Sequence, residues 1–375
     1  MSKKSSYIYY DVRKLMHKYP EAYYYMVIGE RSNGKTYSAL DMCLENWFTK
    51  GQQFAYIRRF GEDVRKKQMD SLFSGHVAND RVEALSNGDW DNILYNTGKF
   101  RLARYVGDKT EYSEFPIGFA FDLNGMEHYK SISFPGVTTV VFDEFLSRSA
   151  YLPNEFLLFT NTLSTIIRNR TDVKILMLGN TVNKYSPYFE EMGLKHVKEQ
   201  KQGTVDVYKY AGNDKLTVVV DYTSTSRSQG GKASDVYFAF DNPQLQMITT
   251  GTWEIAIYPH LPVHYKPKEI VGQFFVDFDH ELLHGEIIAP TKGYPFIFIH
   301  RKTTPIQDEE NDIVYGQIPS HFRTHRVGFT RYDDRYSKFI KKSLNESRIF
   351  YSTNEVGEIF RNYVIWSMNQ DIKRF

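Results

Sequence analysis

The sequence predicts an α/β chain built on a mostly parallel, doubly wound sheet with a phosphate-binding loop, followed by a smaller α+β domain. Three observations carry this prediction. An aromatic and β-branched run, Tyr24–Ile28, leads into Gly29-Glu30-Arg31-Ser32-Asn33-Gly34-Lys35-Thr36 and then into a segment with helical spacing. Val137–Phe142 and Val173–Leu178 are strand-like runs without the alternation of a half-exposed strand, as in a sheet covered on both faces. The first of these runs ends in two carboxylates, Asp143-Glu144.

In chain order, Tyr24–Ile28 reads as the strand before the loop. Ser38–Phe48 follows as a helix, with apolar residues at Leu40, Leu44, Trp47 and Phe48. Phe54–Ile57 is a short strand and Glu62–Phe73 a polar helix. Phe100–Tyr105 and Ile117–Leu123 read as strands of a hairpin or excursion. Asn154–Arg168 has helical spacing through Phe156, Leu157, Phe159, Leu163 and Ile167, and Val173–Leu178 is the next buried strand. Thr223–Ser234, rich in Ser, Thr and Gly, reads as a linker or lid. Beyond it, strand-like stretches at Trp253–Ile257, Val271–Phe278 and Phe296–Ile299 precede helices near Arg335–Asn345 and Asn354–Met368. This divides the chain into a first domain over 1–222 that carries the glycine-rich loop, a linker over 223–252 and a second domain over 253–375.

The spacing G-x-x-x-x-G-K-T fixes the ligand class. Glycines let the backbone curl around an anion, Lys35 reaches the β- and γ-phosphates, and the Thr36 hydroxyl ligates Mg²⁺. The expected ligands are therefore a nucleoside triphosphate and Mg²⁺. At the carboxyl end of a buried strand, Asp143 can hold the metal opposite Thr36, and Glu144 can orient an attacking water. Asn180, at the end of the next buried strand, points at the γ-phosphate if that strand lies beside the one ending in Asp143; otherwise it starts a turn after Gly179. Arg168-Asn169-Arg170 reads from spacing alone as a solvated helix end suited to the dipole, with an arginine finger as the other reading.

The 375 residues suffice for two domains. Cys43 is the sole cysteine, which excludes an internal disulfide framework; on the helix after the loop it is expected to be buried. With no apolar segment behind Lys3 and Lys4 and no long apolar run, neither a signal peptide nor a membrane span is expected. A net charge of +2 neither requires nor excludes nucleic acid, because local patches decide.

The set Gly29–Thr36, Phe54-Ala55-Tyr56-Ile57-Arg58-Arg59-Phe60, Val140-Val141-Phe142-Asp143-Glu144-Phe145, Ile167–Arg170 and Leu178-Gly179-Asn180-Thr181, with Asn183–Phe189 following, closely resembles the DNA-packaging ATPases of small phi29-like tailed phages. The likeness covers roughly residues 20–190 and is weak beyond 230. It implies a P-loop core of the additional-strand, catalytic-glutamate (ASCE) type. It further implies a homopentameric ring that acts in the host cytoplasm, transiently on the prohead, and pumps double-stranded DNA through the portal. Some members also dock on a packaging RNA. By the match, Glu144 is the catalytic carboxylate, and Arg168 and Lys130 act in trans on a neighbour's ATP. Arg31 matches an arginine that moves between phosphate and partner contacts. The C-terminal domain is implied to be RNase H-like and nuclease-derived, its metal-binding acids lost.

Contacts to moving DNA should go to phosphates. Arg65-Lys66-Lys67 are the candidates, with Arg58-Arg59 an alternative set that can instead serve the nucleotide. Lys341-Lys342 and Lys373-Arg374 suit RNA or portal. Asp277 and Asp279, with Glu286, can be read as residual metal ligands of a working nuclease or as alternating polar positions on a half-exposed strand. Rival functions are a terminase with an active nuclease, a helicase or replication ATPase, and a non-enzymatic, ATP-gated portal adaptor.

Overall fold

The computed structural model describes residues 9–125, 132–147, 151–210, 213–224, 252–253, 256–261 and 264–372. The chain divides into two compact units, residues 1–254 and 255–375.

The described residues of the first unit form a ten-stranded sheet. Its centre is β1 (Tyr24–Gly29), β2 (Gln53–Arg58), β6 (Gly118–Asp122), β7 (Val137–Asp143), β8 (Lys174–Asn180) and β10 (Asn213–Tyr222), all parallel, in the order β6-β2-β7-β8-β1-β10. Antiparallel strands flank it: β3 (Asn92–Asn96), β4 (Lys99–Val106) and β5 (Lys109–Tyr112) on one side, β9 (Thr204–Tyr210) on the other. The expected excursion is thus real, but Ile117–Leu123 belongs to the central sheet through β6.

Both faces of the centre are covered, so its strands lack alternation. On one face Tyr25, Val27, Tyr56, Val141 and Leu176 pack with Leu40 and Leu44 of α2 (Lys35–Lys50) and with α1 (Val12–Lys18). On the other, Met26, Ile57, Phe142 and Met177 pack with Phe159, Leu163 and Ile166 of α6 (Glu155–Ile167). The Phe142 and Phe159 rings are 5.0 Å apart and fully buried, so truncating either to Ala costs about 3–5 kcal/mol. Cys43 is buried on α2, as expected.

The polar helix expected over Glu62–Phe73 is broken. A 3₁₀ turn at Gly61–Val64 gives way to the short α3 (Lys66–Asp70), followed by α4 (Ser74–Ala78) and α5 (Arg81–Leu85). Arg65, extended at φ −69° and ψ 154°, interrupts the helical path. Another short helix, α7 (Pro187–Glu191), opens with Pro187 at a position where a missing N–H costs nothing. Trp253, expected to open a strand, instead packs against Phe189 and Tyr222 of the first unit, with no strand assigned to the described residues around it. Most of the expected linker lies outside the described residues.

The second unit is a six-stranded sheet, ordered β15-β14-β11-β12-β13-β16. Its strands are β11 (Ile270–Phe278), β12 (Glu281–Ile288), β13 (Phe296–Arg301), β14 (Val314–Gly316), β15 (His325–Val327) and β16 (Ile349–Tyr351). Three antiparallel strands, β11-β12-β13, are extended on the β11 side by the parallel β14 and β15 and on the β13 side by the parallel β16. Asp279 and His280, both at positive φ, make the tight β11–β12 turn. The helices α8 (Arg335–Asn345) and α9 (Asn354–Ile372) pack on one face, α9 through Tyr363 and Trp366 on Phe278, α8 through Ser337 on Tyr315.

Candidate nucleotide site

Three parallel strands converge on one crevice at their carboxyl ends, where ligands bind in open α/β sheets. β1 runs into the loop Gly29–Thr36. Next to it lies β8, with Asn180 in register with Gly29, and beyond β8 lies β7, ending in Asp143. The strand bearing Asn180 thus separates the loop strand from the Asp143 strand, which is the additional-strand order.

The loop is shaped by positions that tolerate no other backbone. Gly34 caps α2 at φ 92°, a conformation an L side chain rarely adopts. A Cβ on Gly29 would lie 2.0 Å from Thr223 Oγ1, so that close approach needs glycine. Thr223 in turn accepts a hydrogen bond from Asn33 Nδ2 at 3.1 Å, tying the loop to the end of β10. Glu30 and Asn33 are buried, whereas Arg31 and Ser32 are exposed at the tip.

Lys35 is 6% exposed, and its ammonium donates to Glu30 O at 2.6 Å, Asn33 Oδ1 at 3.1 Å, Asn180 Oδ1 at 3.3 Å and Gly29 O at 3.4 Å. Burial pulls Lys35 down to about 8, against the raising effect of Asp143 and Glu30. A desolvated cation held mainly by neutral dipoles is ready to exchange those contacts for phosphate oxygens.

The Thr36 hydroxyl lies 3.1 Å from both Asp143 oxygens. Tyr56, on β2 beside β7, donates to the same carboxylate at 2.8 Å. Burial pushes the Asp143 carboxyl above its usual range; Arg58 and the Tyr56 and Thr36 hydroxyls pull the other way. A hydroxyl and a carboxylate meeting beside a phosphate loop are the oxygen donors a hard divalent cation requires, so these residues fit Mg²⁺.

Glu144 follows at φ 58°, a strained backbone position, and its side chain is exposed. Its carboxylate is paired with Arg58 at 2.6 Å. Burial works against the Arg58 charge, yet Tyr56, Glu144 and Asp143 hold the guanidinium above its ordinary value. Arg59 turns the other way and is buried, donating to Glu155 at 2.8 Å and to the Phe145 carbonyl at 2.7 Å. Neither arginine is therefore placed as a DNA contact: one serves the candidate base, the other braces α6 beneath it.

The crevice opens into a cleft of about 770 Å³, ample for a nucleoside triphosphate. Its outer part is lined by Tyr10, Arg13, Tyr37 and Asn79. Tyr37 stacks on His76, with centroids 3.9 Å apart and planes 3° from parallel. Arg13 and Arg81 both bind Asp41 on α2, at 2.9 and 2.7 Å, locking the wall. The sequence reading assigned no role to Tyr56, Tyr37 or Arg13, because their approach depends on which strands and helices are neighbours.

Arg168 ends α6 at φ 55°, bound to the Ile132 carbonyl at 3.0 Å, and Arg170 holds the Phe134 and Pro135 carbonyls. Both sit where β7 begins, about 20 Å along that strand from Asp143. Lys130 lies outside the described residues. Arg65 pairs with Glu62 at 3.3 Å and Lys66 with Asp70 at 2.6 Å, while Lys67 is exposed. Lys341 is turned onto the Tyr332 carbonyl, and Lys373-Arg374 lie outside the described residues.

In the second unit, Asp277 is exposed opposite Leu282, and Glu286 lies opposite Gln273. Four strand positions, about 13 Å, separate the two acids, so they do not make one metal site. The Asp279 backbone N–H donates to Gln317 Oε1 in the turn. Asp277 is thus a polar position on a half-exposed strand, the simpler of the two sequence readings.

The podovirus DNA encapsidation protein (Gp16) family model matches residues 3–209. The DNA packaging protein of Bacillus phage B103 is 30% identical over 171 residues, covering 45% of this chain and 47% of that protein. That of Bacillus phage phi29 is 30% identical over 166 residues, covering 44% of each. The chain thus spans about half the length of the curated relatives it matches. A chain of the bacteriophage phi29 viral genome packaging motor assembly shares the fold across 98% of this chain and 99% of its own, with a TM-score of 0.51 and 18% identity. With more than half its length matched by the family model, the chain belongs to the podovirus DNA encapsidation (Gp16) family.

Proposed function

We propose that this protein is an ATP-hydrolysing motor that packages double-stranded DNA into a phage prohead, working as a homopentameric ring. The observation that carries the reading is the meeting of Thr36, Asp143 and Glu144 at one crevice, with Lys35 and Asn180 beside them. A binder needs only the loop; a hydrolase also needs a carboxylate free of the metal and able to orient water, and Glu144 is that group.

Thr36 and Asp143 would hold Mg²⁺, which would offset the negative charge of the phosphates. Lys35 gives up its loop carbonyls for the phosphates. Asn180, already on Lys35, reports the presence of the terminal phosphate. Glu144 accepts the proton of the attacking water once it has parted from Arg58. Arg168, about 20 Å from its own loop, is too far to act on it and is assigned to a neighbouring subunit's nucleotide, with Lys130 as a second trans cation. Hydrolysis then depends on ring assembly, and loss of phosphate shifts the subunit contacts that grip DNA. Arg65, Lys66 and Lys67 are the proposed phosphate-backbone contacts, and portal and packaging RNA are the proposed docking partners.

The test is the ATPase rate of the full chain alone, with duplex DNA, and with DNA plus proheads, alongside ring mass by native mass spectrometry. A motor is stimulated by duplex and prohead together and packages the DNA. Turnover stimulated only by single strands, with strand separation, would instead mark a helicase. Nucleotide binding without turnover in every mixture would mark an adaptor.

A further inference from the structure

We propose that His284, Glu286 and His300 form a binding site for one divalent transition-metal ion, zinc by preference, on the face of the C-terminal sheet opposite α8 and α9. The inference is independent of the ATPase reading and concerns different residues and different ligand chemistry.

The site is built by strand geometry. His284 and Glu286 are two apart on β12, so both project to one face. The antiparallel register sets His300 of β13 directly opposite His284. Each residue offers one ligand atom, and these atoms lie within 4.8 Å of one another. Ligand atoms around tetrahedral zinc stand about 3.4 Å apart, so small side-chain rotations close the set without moving backbone.

Two further observations point to a cation. His284 Nε2 is buried and has no hydrogen-bond partner, a condition buried polar atoms rarely tolerate. The ring is stacked on Phe275 at 4.7 Å, which fixes its plane. His300 Nδ1 lies 3.2 Å from the Arg301 carbonyl oxygen, so it carries the proton and donates there. That leaves the Nε2 lone pair on the side of Glu286, 3.9 Å from its carboxylate. An imidazole whose other nitrogen donates to a carbonyl is the usual outer-sphere arrangement of a zinc-bound histidine. Glu286 is oriented in the same manner by the Tyr265 hydroxyl. A Tyr265–Glu286–His300 hydrogen-bonded ion pair accounts for two of the three side chains and leaves His284 unexplained. Two imidazoles and one carboxylate favour zinc over magnesium, which prefers six oxygens.

The test uses the full chain, stripped with chelator and titrated with Zn²⁺ by calorimetry under saturating Mg²⁺, with Co²⁺ titrated in parallel and followed by visible absorption. One tight equivalent of zinc is expected, with the intense bands of four-coordinate cobalt. His284→Asn and His300→Gln, which keep most of the volume, should weaken it by more than the roughly 10–100-fold that loss of an outer-sphere partner costs. Tyr265→Phe should weaken it within that range. Circular dichroism confirms that each variant is folded. The proposal is overturned if the native chain takes up no more zinc than the folded His284→Asn/His300→Gln double variant. It is equally overturned if Asp143→Asn abolishes the uptake while the histidine variants keep it, which would put the ion at the phosphate loop.

Discussion

The crevice of the first unit and the sheet of the second both carry acids at or near strand ends, yet they assemble them differently. In the crevice, the parallel strands β2, β7 and β8 and the loop after β1 meet at one end, so Lys35 bonds Asn180 while Thr36 and Tyr56 both bond Asp143. In the second sheet the strands that carry the acids are antiparallel. Asp277 and Glu286 fall four positions apart, and the side chains that do converge are those paired directly across strands, His284 and His300. Parallel order collects groups at an end; antiparallel order collects them across a face.

The largest effect that would break this contrast is on turnover. Glu144→Gln should lower the DNA-stimulated ATPase rate by roughly 10²–10⁴-fold while nucleotide affinity is retained, because the amide cannot accept the proton of water. Asp277→Asn, on the other sheet, should leave the rate within about twofold, since surface substitutions away from such sites act weakly. Steady-state rates with a fluorescent-nucleotide binding assay separate the two. Undiminished turnover in Glu144→Gln would move the base to another residue.

The next effect is on stability and sharpens the same contrast. Arg59 and Glu155 have side-chain exposures of 7% and 0%, and Glu155 also accepts from the Tyr188 hydroxyl at 2.7 Å. Arg59→Ala leaves a buried carboxylate without its cation, at a cost of about 3–5 kcal/mol. The ion pairs of the second unit are more open: Arg301, 39% exposed, meets Glu281 at 3.3 Å and Glu355 at 3.6 Å. Arg301→Ala should cost no more than about 1 kcal/mol. Urea unfolding monitored by circular dichroism checks both, and equal losses would show that the two pairs are alike in strength.

What the sequence reveals follows the same division. The central strands of the first unit are readable because burial on both faces removes the alternation of a half-exposed strand and leaves apolar runs such as Val140–Phe142 and Ile175–Leu178. β5, Lys109–Tyr112, is mostly exposed and polar, so nothing in its pattern sets it apart from a loop. The strand β12 escaped because Glu281, His284 and Glu286 interrupt its apolar residues, and with it went the register that places His284 opposite His300. The phosphate loop is legible because eight consecutive residues make it. Asn180 was legible only conditionally, since its role requires β8 to lie beside β7. The Arg58–Glu144 pair was out of reach because it depends on β2 flanking β7 on the other side.

That pair supplies the smallest and most discriminating effect. Glu144 is 56% exposed and Arg58 19% exposed, so their contact is only partly shielded from solvent and is worth about 0.2–1 kcal/mol. If Glu144 is the base, as proposed, its pairing with Arg58 keeps it from orienting water and favours a resting state. Removing it with Arg58→Ala should therefore raise the DNA-independent rate by up to about fivefold, the equivalent of 1 kcal/mol. The fully stimulated rate should change less, so the stimulation ratio shrinks. Arg58→Lys keeps the charge, loses the planar fork, and should fall between. If both rates instead fall together in Arg58→Ala, the arginine positions Glu144 for attack rather than restraining it. The crevice would then be preassembled, and control of turnover would have to come from the other subunit's cations.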